Sequence, residues 1–312
     1  MPAAPRGPGS PGLRGAHFVP GIPMLTLILF NLTNGVILGL FYVLMALGVS
    51  LILNLSNVIN FAHGNFLALG GYFAFSLAPY LGYWGAFIVA PILVGGLGII
   101  IEQTMIKRVY PRPHVYSLLL TFGISFVIQD MCRTIWGANG LPLSVPSALD
   151  SPLSNQFFFL TGYRVFMVAV VIVVVAALFA FLGFTRVGTR IRAGTFDLDT
   201  VSALGINIGL LRALNFGLGI GLAGLAGVLA GGQIGLNPNM GDDLVLPSFI
   251  AIIVGGIGSL TGTLVGGIAI GVASALTAVW WSAGSEVVIY MMMVVILVAR
   301  PRGLMGEEGM MT

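Results

Sequence analysis

Charged residues are scarce in this chain of 312 residues: they make up 7% of it, whereas hydrophobic residues make up 57%. A soluble domain carries roughly 25% charged residues, which cover its water-facing surface. This chain has too few charges for such a surface, so lipid must be its main solvent, and its backbone must satisfy its own polar groups there. Together with its long apolar runs, the composition predicts an all-α, polytopic bundle of transmembrane helices.

Cysteine and lysine each occur once, as Cys132 and Lys107. A single cysteine excludes an internal disulfide and a CxxC or zinc cluster. The lysine lies in the sequence MIKRVY, which is not the glycine-rich Walker A loop of a P-loop ATPase, and the chain also lacks GxSxG and HExxH motifs. No catalytic or metal site is therefore expected, and any ATP that drives a process here must bind to other subunits.

The N-terminal residues 1–23 differ from the rest of the chain, because they contain six prolines and five glycines. This composition predicts a disordered tail. It is not typical of a secretory signal, which has a short apolar stretch before a small-residue cleavage site. We expect one membrane domain over residues 24–306, followed by a C-terminal tail over residues 307–312.

Apolar segments follow one another closely after Pro23, and they predict about eight to ten membrane segments. A helix that spans the bilayer needs roughly 20 apolar residues. The first segment is long, so it forms either one tilted helix or two broken halves. The seventh is short, which favours a re-entrant or broken piece. The segments are 24–53, 61–78, 84–106, 115–136, 164–184, 211–235, 246–259, 262–282 and 285–300.

The basic residues predict the orientation. Nine of the thirteen lie in three clusters, and such clusters are retained on the cytoplasmic side of a membrane. The loop 137–163 then faces outward and the C-terminus lies inside; the N-terminus is outside if the first segment crosses once. The clusters are Lys107, Arg108 and Arg112; Arg186, Arg190, Arg192 and Arg212; and Arg300 and Arg302.

The sequence NVINFAHGN, residues 57–65, is the most polar stretch at the edge of an apolar run. Its polar side chains are Asn57, Asn60, His63 and Asn65. Polar groups inside a membrane are costly unless they are paired or line water, so this stretch is a candidate solute path or a helix break beside one. The alternative, which stays open here, is a helix start with Asn57 or Asn60 as the N-cap.

Thr121 shares one face of its predicted helix with Ser117 and Ser125. These hydroxyl groups either line the path or form hydrogen bonds to the backbone or between helices.

The segment of about 186–210 is long for a connection between membrane helices. Asp197 and Asp199 precede Val201, Ala203 and Leu204, which predicts a short amphipathic helix with acidic residues at its N-terminus. Such a helix could dock into a partner's groove or rest on anionic lipid, and its physical chemistry leaves both open.

Five stretches in order resemble one family of membrane proteins. They are GLFYVLMALGVSLILNLSNVINFAHGNFLALGGY at 39–72, LLLTFGISFVIQDMCRTIWG at 118–137, RVGTRIRAGTFDLDTVSALGIN at 186–207, IVGGIGSLTGTLVGGIAIG at 253–271 and ARPRGLMG at 299–306. The family comprises the permease subunits of branched-chain amino-acid ABC importers, and the INFAHG stretch resembles the first of its two permease types. One departure is Asn65, where the family often carries an acid, which puts the contribution of that position to a solute path in doubt.

The resemblance implies several partners: a second related permease, two ATP-binding subunits that hold ATP and Mg, and an extracytoplasmic solute-binding protein, but no nucleic acid. It implies a transport subunit of the bacterial inner membrane that binds no cofactor and is not an enzyme. The solute would be a branched-chain amino acid or a related amide, urea or organic acid. The resemblance also makes 193–207 a coupling helix, with the coupling residues Arg192, Ala193, Asp197, Asp199, Ala203, Leu204 and Gly205.

The mechanism expected from this resemblance is alternating access, in which the binding protein selects the solute and the permease path contacts it only weakly. The alternative is a secondary transporter or channel that acts alone, which would need a coupling carboxylate inside the membrane. The carboxylates within or at the ends of the predicted spans, Glu102, Asp130 and Glu286, are each placed near an interface. A membrane enzyme would need a nucleophile, base or metal cluster, and none is visible.

Overall fold

The computed structural model describes residues 24–155 and 158–306. Both predicted tails, 1–23 and 307–312, lie outside these residues. The helices are α1 (Met24–Ser56), α2 (His63–Thr104), α3 (His114–Trp136), α4 (Gly162–Phe184), α5 (Arg186–Phe196), α6 (Leu198–Ala203), α7 (Ile208–Ile234), α8 (Met240–Gly255), α9 (Leu260–Trp280) and α10 (Gly284–Ala299). Short 3₁₀ helices occupy Ile106–Arg108 and Ser147–Leu149, and strands β1 (Pro152–Asn155) and β2 (Phe158–Thr161) form an antiparallel hairpin.

The predicted all-α polytopic bundle is confirmed. Within the described ranges, six helices are long and apolar enough to cross a membrane: α1, α2, α3, α4, α7 and α9. The first predicted segment is a single helix of 33 residues. The short segment predicted from residue 246 begins earlier, at Met240, and α8 has 16 residues, which is short for a full span.

Helix α2 turns back on itself at Gly82, which has φ 67° and ψ 171°. Glycine tolerates this left-handed conformation because it has no Cβ. Pro91 in the second half and Gly70 in the first half both lie against Gly224 of α7. In a straight helix these two residues would be about 30 Å apart. The two halves are therefore separate membrane segments, as the gap between the predicted segments 61–78 and 84–106 suggested.

Glycines allow the helices of the bundle to approach closely. Two glycines of α7 pack against glycines of α2: Gly217 lies beside Gly95, and Gly224 beside Gly70. Without a hydrophobic driving force between helices in lipid, such contacts supply close van der Waals packing. Gly258, with φ 94°, lies in the turn between α8 and α9.

Two connections re-enter the bundle. After α1 ends, residues 57–62 lead back into the protein, and α2 begins with the His63 ring beside Gly48, about two helical turns above the end of α1. After α7, residues 235–239 lead back into the bundle from the other end, and Leu236 forms an isolated antiparallel β-bridge with Leu141. The N-termini of α2 and α8 then meet inside the bundle.

The three basic clusters lie at one end of the bundle, which we call the basic end. There Asn54 of α1 donates to the Gly258 carbonyl, Leu55 contacts Gly194, and the Leu304 amide donates to the Val254 carbonyl. The opposite end is held by Tyr83–Tyr163, Trp136–Ser76 and Arg164–Asn34 hydrogen bonds.

Candidate functional site

The polar stretch 57–65 contains a break between two helices, and asparagines lie on both sides of that break. Asn57 has φ 50°, and its backbone amide donates to the Leu53 carbonyl at 2.8 Å. This hydrogen bond ends α1. Asparagine is among the few residues that adopt this left-handed conformation readily. The Asn60 Oδ1 accepts a hydrogen bond from the Ala62 amide at 3.1 Å, immediately before α2. The interpretation of Asn57 or Asn60 as the N-cap is wrong, because the N-cap residue of α2 is Ala62, which makes no side-chain capping hydrogen bond. Asn60 instead holds the turn before Ala62, and Asn57 terminates α1.

Asn65 lies with four polar side chains of α3 and of the α8 N-terminus. Its Nδ2 donates to the Ser125 Oγ and, at 3.5 Å, to the Asp242 Oδ1. The Gln129 Nε2 donates to the Asp242 Oδ2 at 2.7 Å and to the Asn239 Oδ1 at 3.1 Å. We call Asn65, Ser125, Gln129, Asn239 and Asp242 the central polar cluster.

The main-chain approach of two helices determines this arrangement. Gly64 of α2 lies against Gly241 of α8, and a Cβ added to either would overlap the backbone of the other. This close contact places the following residues, Asn65 and Asp242, side by side.

Thr121 is fully buried on α3, one turn before Ser125. Its Oγ1 lies 3.1 Å from the Leu118 carbonyl and 3.4 Å from the Ile59 carbonyl in the break. Thr121 therefore joins the helix to the break by a hydrogen bond to the backbone, which is the second of the two interpretations for these hydroxyl groups. At the far end of this face, Arg133 donates to Asn239 at 2.7 Å.

The remaining predicted path residues lie elsewhere. His63 is fully buried beside Gly48 of α1. Asn57 is exposed at the basic end and lines a cavity of about 580 Å³ together with His114 and Phe196. Asn65 therefore contacts α3, the helix that carries Thr121, whereas Asn57 lies at the basic end.

A cavity of about 290 Å³ adjoins the central polar cluster through Asp242. Three carboxylates line it, one from each of Asp242, Asp243 and Glu286, together with the hydroxyl-bearing side chains of Tyr42, Ser274 and Tyr290.

Sequence reasoning missed Gln129 and Asp242. Gln129 stands four residues after Ser125, so the helical spacing that linked Ser117, Thr121 and Ser125 could have found it. Asp242 was missed because the segment was predicted to begin at residue 246, whereas the helix begins at Met240 and includes both aspartates in its first turn.

The second candidate region is the connection between α4 and α7, residues 185–207, which we call the elbow. The predicted short helix is present as α6, and its N-cap is Asp197, whose Oδ1 accepts from the amides of Asp199 at 2.9 Å and Thr200 at 3.1 Å. The Thr200 hydroxyl also donates to Asp197. These hydrogen bonds, above all those from Thr200, lower the pKa of the Asp197 carboxyl, because they favour its charged form.

The elbow presents apolar side chains at its surface. Leu204 is 74% exposed and Phe196, which the sequence analysis did not select, is 79% exposed, while Val201 packs inward. Gly205, with φ 79°, ends α6. Of the other predicted coupling residues, Ala193, Asp199 and Ala203 are exposed, and Arg192 donates to the Gly183 carbonyl at 3.3 Å.

Comparisons with known proteins agree with this architecture. Residues 31–297 match the family model described as "Branched-chain amino acid transport system / permease component". The chain is 31% identical over 291 residues to the "High-affinity branched-chain amino acid transport system permease protein LivH" of Salmonella typhimurium, covering 88% of this chain and 94% of that protein.

Two further relatives cover a similar share of the chain. The permease protein BraD of Pseudomonas aeruginosa is 30% identical, with 92% of this chain and 98% of that protein covered. A probable LivH of Methanocaldococcus jannaschii is 27% identical, with 89% and 92% covered. From the match over most of its length, the chain belongs to the family of branched-chain amino acid transport system permease components and is a multi-pass membrane permease subunit of an ABC importer.

Proposed function

We propose that this chain forms half of the membrane path of an ATP-driven importer, with a second related permease as the other half. Its solute is a branched-chain amino acid or a related small amide, urea or organic acid, as the names of its relatives suggest for the first of these. In this proposal the basic end faces the bacterial cytoplasm, so the C-terminus is cytoplasmic. Since α1 crosses once, the N-terminus is outside.

Two ATPase subunits would dock on the elbow. The observation that carries this step is the exposure of Leu204 and Phe196 at the basic end, because two large apolar side chains on either side of a short capped helix suit a groove on another protein. ATP and Mg would bind only in those partners, since the one lysine of this chain is not in a Walker A loop. The chain itself would have no enzymatic activity.

The elbow is well placed to transmit motion to the bundle. Two cavities, of about 340 and 580 Å³, lie between the elbow and the end of α1 beside the contact of Leu55 with Gly194, and Asn54, Thr195 and Phe196 line both. Movement of the elbow into this space would reach α1 and the turn before α9 directly. An extracytoplasmic binding protein would deliver the solute at the opposite end.

Co-purification tests this assembly. Tagged chain from its native host, isolated in gentle detergent, should bring down a second permease and two Walker A proteins. The variant Leu204→Asp should lose the ATPases but keep the second permease, because it places a charge in an apolar contact. Leu81→Asp, at the turn of α2 where the leucine side chain is 49% exposed, is the control and should keep all partners.

Recovery of the chain alone would contradict the proposal. The second candidate, a carrier driven by an ion gradient, would then come first, and one observation favours it: Asp242 is a carboxylate of the membrane domain that accepts a hydrogen bond from the Gln129 side chain. Uptake that survives ATP depletion but stops with an ionophore would support the carrier, whereas the reverse pattern would support the importer.

A further inference from the structure

A carboxylate is buried where the second half of α2 ends, at the basic end. Glu102 stands two residues before the last residue of α2, and its side chain is only 1% exposed. Its Oε1 accepts a hydrogen bond from the Tyr110 hydroxyl at 2.9 Å. A buried carboxylate is costly unless its neighbours compensate it, so the groups around Glu102 hold it in one place.

Two cations complete these surroundings. The positive charges of Lys107 and Arg212 attract the Glu102 carboxyl. The Arg212 guanidinium also lies over the Tyr110 ring, with its carbon 4.3 Å from the ring centroid, where the negative face of the ring attracts it. Tyr110 therefore has contacts on two sides, because its hydroxyl binds α2 and its ring face binds α7.

These contacts reach the part of α7 that follows the elbow. Helix α7 begins directly after the elbow, where the side chain of its N-cap Asn207 accepts from the Leu210 amide at 3.0 Å. Arg212 lies in the next turn. The contact of Gly217 with Gly95 is five residues further along α7, so the Tyr110 contacts extend the packing of α7 on α2 by more than one turn toward the elbow.

The rest of α7 is already fixed within the bundle. The Asn215 side chain donates to the Leu51 carbonyl of α1 at 2.6 Å, and Gly219 lies against Gly48 of the same helix. The turn between Asn207 and Arg212 lies between this fixed part and the elbow. Movement of the elbow acts on this turn first, and a turn with only local hydrogen bonds would bend or open and absorb the movement.

We propose that Glu102, Tyr110 and Arg212 form an anchor that fixes the start of α7 to α2, so that movement of the elbow passes into the bundle. Glu102 and Arg212 are positioning residues, which act through Tyr110 and not on solute or ATP. The proposal rests on the proposed importer and deepens it, because it gives the elbow a route to α2 and α7 beside its route to α1. Loss of the anchor must then change both the mobility of this turn and the transport that depends on it.

Hydrogen exchange tests the anchor itself. Tyr110→Phe removes the hydrogen bond to Glu102 but keeps the ring under Arg212. In the full-length chain in detergent, exchange over residues 212–216 should become several-fold faster, as measured by mass spectrometry. The control is Tyr116→Phe, at a tyrosine of the same end that is 49% exposed and has Arg112 5.5 Å from its ring centroid, and it should leave this exchange unchanged. Unchanged exchange in Tyr110→Phe would overturn the proposal.

The amount of leucine transported per ATP hydrolysed tests the coupling role. For the assembled importer in proteoliposomes, Tyr110→Phe should lower this ratio several-fold while ATP hydrolysis continues, whereas a merely structural defect would lower both rates together. Arg212→Gln breaks the next contact and should have the same effect. Because the two contacts lie in series, the double variant should add little to the larger single effect.

Two outcomes of the transport measurement would overturn the proposal. One is an unchanged ratio in a variant whose exchange is faster, and the other is a double variant whose losses simply add. The exchange measurement needs neither ATPase nor solute, so it decides on the anchor whether or not the importer assembly is recovered.

Discussion

The centre of the bundle and the elbow at its basic end are stabilised by different kinds of interaction. At the centre, the main chains of two helix ends are in close contact at Gly64 and Gly241, and Asn65, Gln129 and Asp242 form side-chain hydrogen bonds beside them. At the elbow, Asp197 caps a six-residue helix through local hydrogen bonds, while Leu204 stays exposed. The comparison teaches that packing determines the geometry of the centre, so small changes there should affect folding and solute binding, whereas changes at the elbow should affect assembly and leave the fold intact.

The largest effect is expected for Gly64→Val. Its side chain would overlap the carbonyl of Gly241, and overpacking of this kind typically costs 1–3 kcal/mol or more. We expect a loss of most monodisperse protein in detergent, measured by fluorescence-detected size exclusion. Gly96→Val is the control on the same helix, because nothing lies within 4 Å of a Cβ there. Equal yields from both variants would show that the helix ends do not require this close contact.

A smaller effect is expected for Gln129→Leu, which removes both hydrogen bonds from Gln129 to the α8 N-terminus. A hydrogen bond to a charged group contributes about 1.5–3 kcal/mol, so Asp242 should lose its fixed position although the fold survives. Uptake of leucine by the assembled importer should fall several-fold. The control is Gln103→Leu, an exposed glutamine on α2. Unchanged uptake in the Gln129 variant would place the central polar cluster outside the solute path.

The smallest effect is expected at the cap of the elbow. Asp197→Ala removes the acceptor for two amides and should speed hydrogen exchange in α6, whereas Asp197→Asn keeps a capping oxygen and should resemble the native chain at neutral pH. Exchange measured by mass spectrometry over residues 198–203 distinguishes them. Slower exchange in the alanine variant would contradict the capping role.

The same cap predicts a pH dependence. Because the folded-state pKa of Asp197 is lowered, its stabilisation of α6 is complete above the unfolded-state pKa and is lost as the pH falls through the lowered folded-state value. Exchange in native α6 should therefore be protected at neutral pH and should accelerate only on strong acidification, beyond the intrinsic effect of pH on exchange. In Asp197→Asn this acid-dependent component should be absent, and its persistence would assign it to another group.

Much of the architecture could be predicted because hydropathy along the chain is a local property. The single long helix α1 was one of two alternatives for the first segment, and the turn at Gly82 falls in the gap between two predicted segments. The start of α8 could not be predicted in this way. Its first turn contains Asp242 and Asp243, and charged residues normally mark the outside of a span, so only the tertiary contacts show that the helix includes them.

The same limit applies to the candidate sites. Asp197 was identifiable from its position before an apolar stretch, because capping depends on neighbours within a few residues. The pairing of Asn65 with Asp242 joins residues 177 positions apart, and no local pattern connects them. Asn57 ends α1 and Asn60 holds the turn before Ala62, and both roles depend on the backbone conformation between them.

The sequence by itself determined that this protein is embedded in lipid, because so few of its residues are charged. The positions of the basic residues predicted that their clusters share one side, and the single lysine excluded a Walker A loop. Only the tertiary structure decided that the connections 57–62 and 235–239 enter the bundle from opposite ends, and that the helices after them, α2 and α8, meet at Gly64 and Gly241. The physical reason is that this meeting depends on how closely helices distant in the chain can pack, and that distance is a property of the whole bundle rather than of any segment.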